Sequence, residues 1–286
     1  MNTNTEELIK ENQIIKEELE KTKILVQVYS DIHIELWNRV PILPVMAKYL
    51  FLAGDICDKN NPLFFKFLDY CSEWWEKVFY TPGNHEFYVR NKNYNQLLFE
   101  YKFDIEKRYK NIYFLDNAAV KLNDDIDVYG STFWTKSPFE RTYEAKLSIN
   151  DYNWITYFNQ SKRHVAELDI NYINELSETS YNNLKQHLSI SKKPTIVMTH
   201  FPPIRTGTSG PIYLSQDRKV NQYFSWPDET INDFNLENVP IWISGHTHWS
   251  YDINKNGTRF VGNQLGYKSE LGKTGLNEDG LFEIIF

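Results

Sequence analysis

Three times in the first third of the chain, an apolar run breaks off into small and polar residues. "KILVQVYSDIH" (23–33), "YLFLAGDICD" (49–58) and "KVFYTPGNHE" (77–86) share this form. Short apolar runs bounded in this way predict buried strands that open into loops. Between the second and third lies "PLFFKFLDYCSEWWEK", whose apolar spacing is helical. Strands alternating with helices at about 25 to 30 residues predict βαβ units and a parallel sheet. Ligands gather beyond the carboxyl ends of such strands, so chemistry is expected at the polar ends.

"PTIVMTH" (194–200) and "VPIWISGH" (239–246) are further strands, and both end in histidine. "TRFVGN" and "LFEIIF" predict late antiparallel strands. "YEAKLSINDYNWITYF" and residues 162–190 predict helices. The Pro- and Gly-containing stretch 201–229 is too long for a bare connection and predicts a functional loop. Residues 1–22 lack Gly and Pro, and Leu8, Ile9, Ile14, Ile15 and Leu19 form a partial helical stripe. They predict an extension that is either a self-associating helix or a solvated tail. With no repeat or Gly/Ser linker, residues 23–286 are expected to form a single domain.

Hydrophobic residues at 41% and charged residues at 24% are ordinary for a folded soluble protein, and 16% aromatics predict a core rich in rings. A net charge of −7 argues against a broad basic face for nucleic acid. Two cysteines, Cys57 and Cys71, are too few for a secreted disulfide scaffold and fit a reducing compartment. No apolar stretch approaches the roughly 18 residues of a membrane span. The polar start "MNTNTEELIKENQ" has no apolar signal core. A soluble, cytoplasmic protein is the expectation.

The five strand ends carry Asp31 and His33; Asp55 and Asp58; Asn84, His85 and Glu86; His200; and His246 with His248. Five of the seven histidines stand there, whereas His164 and His187 are expected to be solvated on helices. Neither "DIH" nor "GHTH" alone specifies a site. The joint pattern does, because one fold brings all five ends to one rim. Carboxylate, imidazole and amide oxygen without thiolate suit Mn, Fe or Zn better than a structural zinc site. The donors are too many for one ion. Seven can serve two ions if a carboxylate bridges, and paired ions about 3.5–4 Å apart drive hydrolysis at phosphorus.

The ordered set "DIH", "GDICD", "GNHE", a single His after a strand, and "GHTH" resembles the calcineurin-like metallophosphoesterases over roughly residues 24 to 267. "GSTFWT", "NDYNWI" and "GTRFVGNQLGY" are similar to a small prokaryotic and viral branch. The resemblance implies a four-layer αββα sandwich of two mixed sheets flanked by helices. It implies two divalent ions, with Mn expected and Fe, Zn or Ni suiting the same donors. Asp31, His33 and His248 would hold one ion, Asn84, His200 and His246 the other, and Asp55 would bridge. A hydroxide held between the ions would attack a phosphate ester, with His85 as general acid and Asp58 orienting it.

Departures narrow the branch. Protein phosphatases of this superfamily show "GDxVDRG" and an Arg before "GNHE"; here "GDICDKN" and "YTP" stand instead. Purple acid phosphatases carry Tyr where Asp58 stands, and lariat-debranching enzymes carry Cys where Asp31 stands. Without the phosphate-clamping arginines, the expected substrates are phosphodiesters or small nucleotide-like esters. The alternatives are a non-catalytic scaffold on the same fold, or a nuclease. Arg205 and Arg218 in the long loop lead the candidates for substrate binding, ahead of Arg39, Lys219 and Arg259. Trp226 and Trp249 are expected to pack, or else to wall a nucleobase pocket. Glu86 is expected to support a ligand, and Cys57 to be a buried structural thiol.

Overall fold

A computed structural model describes residues 23–139, 142–211 and 223–286. The extension 1–22, Arg218 and Lys219 lie outside the described residues. One sheet has the order β13 (Leu281–Ile285), β1 (Lys23–Tyr29), β2 (Tyr49–Ala53), β3 (Lys77–Thr81), β4 (Ile112–Phe114). Strands β1 to β4 are parallel, and β13 runs antiparallel to β1. The second sheet has the order β11 (Tyr251–Lys255), β12 (Thr258–Gly262), β10 (Ile241–Ile243), β9 (Thr195–Thr199), β6 (Asp127–Ser131), β5 (Ala118–Lys121). Its four inner strands are parallel and its two outer strands antiparallel.

Side chains alternate across each strand, so a strand buried on both faces is apolar throughout. Phe51 and Ala53 of β2, Phe79 of β3, Ile196 and Met198 of β9, and Ile241 and Ile243 of β10 meet between the sheets. Leu50, Leu52, Val78 and Tyr80 point the other way, onto helices α1 (Phe64–Trp74) and α2 (Tyr94–Arg108). Helix α1 buries Phe64, Phe67, Leu68 and Cys71, one stripe at helical spacing. On the far side, Val197, Trp242 and Phe260 pack with Leu184 and Leu188 of the long C-terminal-half helix. The result is the four-layer αββα sandwich. No helix among the described residues is long and apolar enough to cross a membrane.

The expected helices are only partly present. Helices α3 (Thr142–Ser148), α4 (Asp151–Trp154) and α5 (Ile170–Ile190) form, but β7 (Thr156–Asn159) and β8 (His164–Glu167) pair as an antiparallel hairpin between them. Asn159 Oδ1 accepts from Lys162 N within its turn, and Arg163 has a left-handed φ of 54°. Helix α5 starts only where Asp169 caps the amides of Asn171 and Tyr172. His164 is therefore exposed on a strand, while His187 sits half-buried with its ring against Tyr129. Of the late strands, β12 is antiparallel to β11 yet parallel to β10.

Candidate metal centre

The carboxyl ends of β1, β2 and β3 in one sheet and β9 and β10 in the other converge on one rim. The loops are stitched by main-chain bonds: Asp31 N to Gly54 O, His33 N to Asp55 O, and Gly245 N to His200 O, each 2.9–3.0 Å. Asp31, His33, Asp55, His246 and His248 all have left-handed backbones, with φ from 49° to 74°. Such a conformation costs a non-glycine residue about 1–3 kcal/mol and clusters at functional sites. Here it turns each side chain off its strand toward a common point.

Two donor clusters result. In the first, His33 Nε2 and His248 Nε2 lie 3.0 Å apart, with Asp31 Oδ1 3.5 Å from the latter and Asp55 Oδ2 3.9 Å from the former. In the second, His200 Nε2 lies 3.0 Å from Asn84 Oδ1, 3.2 Å from His246 Nδ1 and 3.4 Å from Asp55 Oδ1. Asp55 thus gives one oxygen to each cluster.

Most of these atoms face one another as acceptors. His33 Nδ1 is held by Glu35 Oε1 at 3.1 Å and His248 Nδ1 by Glu270 Oε2 at 2.6 Å, so both protons sit on Nδ1. His200 Nδ1 donates to Ala53 O at 2.9 Å. The Asn84 amide donates to Asp151 Oδ1 at 2.8 Å and to Tyr88 Oη, which turns its oxygen inward. Once the proton on His200 Nε2 is displaced, lone pairs and carboxylate oxygens converge here, an arrangement that suits a cation. Ring nitrogens fixed by carboxylates or carbonyls are the usual support of metal-binding imidazoles. The set fits two divalent ions.

Electrostatics agree. Burial opposes the charge on Asp55, but His200 and His85 outweigh it and hold the carboxyl well below the usual range. Burial also opposes a charged His200, yet Asp55 raises it to about 9; a dication there must displace that proton. Burial and then His200 push His246 well below its ordinary value.

Glu86 ties the loops together. Its buried carboxylate accepts from Asp55 N, Ile56 N, Gly83 N and the Tyr80 hydroxyl at 2.7–3.0 Å. Gly83 is confined for a related reason. A Cβ there would lie 2.1 Å from Asp55 Oδ1 and 2.8 Å from His200 Cε1. Gly83→Ala is expected to weaken metal binding by at least about tenfold, as misoriented ligands do. Calorimetric metal titration checks this, and an unchanged affinity would contradict the tight fit.

The structure corrects two expectations. Asp58 does not orient His85: its Oδ1 accepts from Asn60 N, while Glu35 Oε1 lies 3.3 Å from His85 Nδ1. The one-turn helix Ile34–Leu36 brings Glu35 back over the site. Arg205 does not face the cleft above the donors. Asp228 Oδ1 caps the amides of Arg205 and Thr206, and the guanidinium donates to Ser225 O beside a separate cavity with Lys136 and Trp226. Arg259 is tied to Asp252 by two bonds at 2.6–2.8 Å. Trp226 packs on Phe133 and donates to its carbonyl, and Trp249 packs against Gly210. Cys57 is buried and free, and burial pushes its thiol up.

Sequence reasoning missed Glu35, Tyr88, Asp151, Tyr267 and Glu270. His85 stacks on Tyr88 at 4.3 Å, and the Tyr267 hydroxyl lies 3.3 Å from His85 Nε2. Glu35, two residues after His33 in "DIHIE", carried a local signal, and Asp151 and Tyr267 lie within "NDYNWI" and "GTRFVGNQLGY".

A four-layer sandwich whose strand ends bring two metal-type donor clusters around a shared carboxylate is the architecture of a metal-dependent phosphoesterase. The chain belongs to the calcineurin-like phosphoesterase family, whose profile matches residues 24–250. It is 31% identical over 234 residues to an "Uncharacterized protein" of Acanthamoeba polyphaga mimivirus, covering 78% of this chain and 79% of that one. Its fold is similar to the crystal structure of phosphopantetheinyl hydrolase from Mycobacterium tuberculosis, with a TM-score of 0.68 and 16% identity over 92% of this chain and 96% of that one.

Proposed function

We propose that this phosphoesterase hydrolyses phosphodiesters or small nucleotide-like esters with two divalent ions, Mn foremost. Asp31, His33 and His248 would hold one ion, Asn84, His200 and His246 the other, with Asp55 shared. The observation that carries the reading is the convergence of metal-ligand atoms on both sides of one carboxylate, Asp55. When bound, the ions would lower the pKa of water from about 15.7 toward 7 and neutralise charge on phosphoryl oxygens.

The polypeptide supplies the rest. Burial opposes a charged His85 while Asp55 and Glu35 favour it, and Glu35 would go on favouring the proton for the leaving oxygen once ions offset Asp55. Among the described residues no Lys or Arg lines the cleft; Tyr88, Tyr223, Phe224 and Tyr267 do. With two dications in place, the carboxylates of Asp31, Glu35, Asp55, Asp151 and Glu270 would offset their charge, leaving little to hold the second negative charge of a monoester. The aromatic walls suit a flat, weakly charged leaving group.

Initial rates with Mn on a bis(aryl) diester and the matching aryl monoester test the preference. The diester is expected to lead in kcat/KM by at least about tenfold, a barrier difference near 1.4 kcal/mol. A faster monoester would sink the assignment.

A further inference from the structure

Glu35 is not one of the seven donors, yet one of its oxygens reaches two rings of the site. Oε1 lies 3.1 Å from His33 Nδ1 and 3.3 Å from His85 Nδ1. The two rings stand edge to face with centroids 4.5 Å apart. We propose that Glu35 is a positioning residue shared by a metal ligand, His33, and the general acid, His85. One carboxylate would then govern both the hold on the first ion and the aim of the acid. This rests on the acid role given to His85 above.

The geometry supports each half. With Nδ1–H of His33 directed at Glu35, its Nε2 lone pair faces His248 Nε2 at 3.0 Å. With Nδ1–H of His85 directed at the same oxygen, its Nε2 faces the cleft, 3.3 Å from the Tyr267 hydroxyl. Fixing a tautomer in this way sets which nitrogen acts. The anchor is itself fixed, because His33 N donates to Asp55 O and Ile34 N to Ile56 O, pinning the short helix that carries Glu35. Glu35 Oε2 is buried without a hydrogen-bond partner among the described residues. A purely structural carboxylate would ordinarily satisfy both oxygens.

The test uses the full chain with Glu35→Ala, Glu35→Gln, His85→Ala and the double variant Glu35→Ala/His85→Ala. Mn binding is measured by calorimetry. Turnover is measured at saturating Mn on two diesters, one with a nitrophenolate leaving group and one with an alkoxide that needs a proton. Glu35→Ala is expected to weaken one of two Mn sites by roughly 10–100-fold. It is expected to slow the alkyl diester by about 100-fold or more, and the nitrophenyl diester by less than about tenfold. The double variant is expected to be no slower on the alkyl diester than His85→Ala, because the two residues act as one unit. Glu35→Gln, which keeps an acceptor oxygen, is expected to fall between wild type and Glu35→Ala in both readouts.

Unchanged Mn affinity in both Glu35 variants, or additive losses in the double variant, would overturn the shared role. A His85→Ala enzyme with no leaving-group dependence would overturn the acid assignment, and the shared role with it. The two failures are distinguishable, since only the second appears in the single His85 variant.

Discussion

Asp55→Ala is expected to lower diester turnover by at least about 10³-fold, beyond the cost of losing one preorganised electrostatic group. Its two oxygens serve different clusters: Oδ1 lies 3.4 Å from His200 Nε2, and Oδ2 lies 3.9 Å from His33 Nε2. Oδ1 also accepts from His85 N at 2.8 Å, so the same residue seats the acid's backbone. Removing it leaves His33, His85 and His200 without their common carboxylate. The metal content is therefore expected to fall from two per chain to at most one. Asp55→Asn would separate charge from shape, since the amide retains one acceptor oxygen but not the bridging charge. Full metal loading with wild-type turnover in either variant would remove Asp55 from the centre.

His85→Ala is expected to produce the second largest effect, and a different kind. A positioned general acid contributes about 10²–10⁴-fold, so kcat on an ester with an alkoxide leaving group should fall by that factor. KM should change little, because a proton delivered during bond cleavage adds nothing to ground-state binding. Metal content should stay at two, because Asp31, His33, Asp55 and His248 give the first ion four donors without His85, whose Nε2 lies 3.9 Å from Asp55 Oδ2 and 3.3 Å from the Tyr267 hydroxyl. The ring is further held by stacking on Tyr88. Loss of an ion in this variant would make His85 a ligand instead.

Most of the fold could be read from the chain because its signals are local. Apolar runs such as 49–53 and 77–81 are buried on both faces, and their abrupt polar ends are where the strands stop. The rim follows from parallel topology, which gathers those ends without any further information. Short segments were less legible. Residues 156–167 have too few apolar positions to separate helix from strand, and the Asn159 turn decides for a hairpin. The groups that steady the donors were hidden for another reason: they act across the chain. Asp151 reaches Asn84, and Glu270 reaches His248, through contacts that no spacing rule encodes. Asp58 owes its expected role to the match of "GDICD" with the family's "GDxxD" form. Glu35 takes its place because a tight turn after a left-handed His33 folds it onto two rings. Arg205 lies in a long loop, yet its guanidinium donates to Ser225 O beside a separate cavity.

Seven residues from five strand ends would form one dinuclear centre that performs the hydrolysis. This is tested most directly by titrating Mn into chelator-stripped protein while recording bound metal and aryl-diester turnover together. No turnover is expected in the stripped protein, with a plateau reached at two ions per chain. Turnover that survives complete metal removal, or that saturates with a single bound ion, would contradict it.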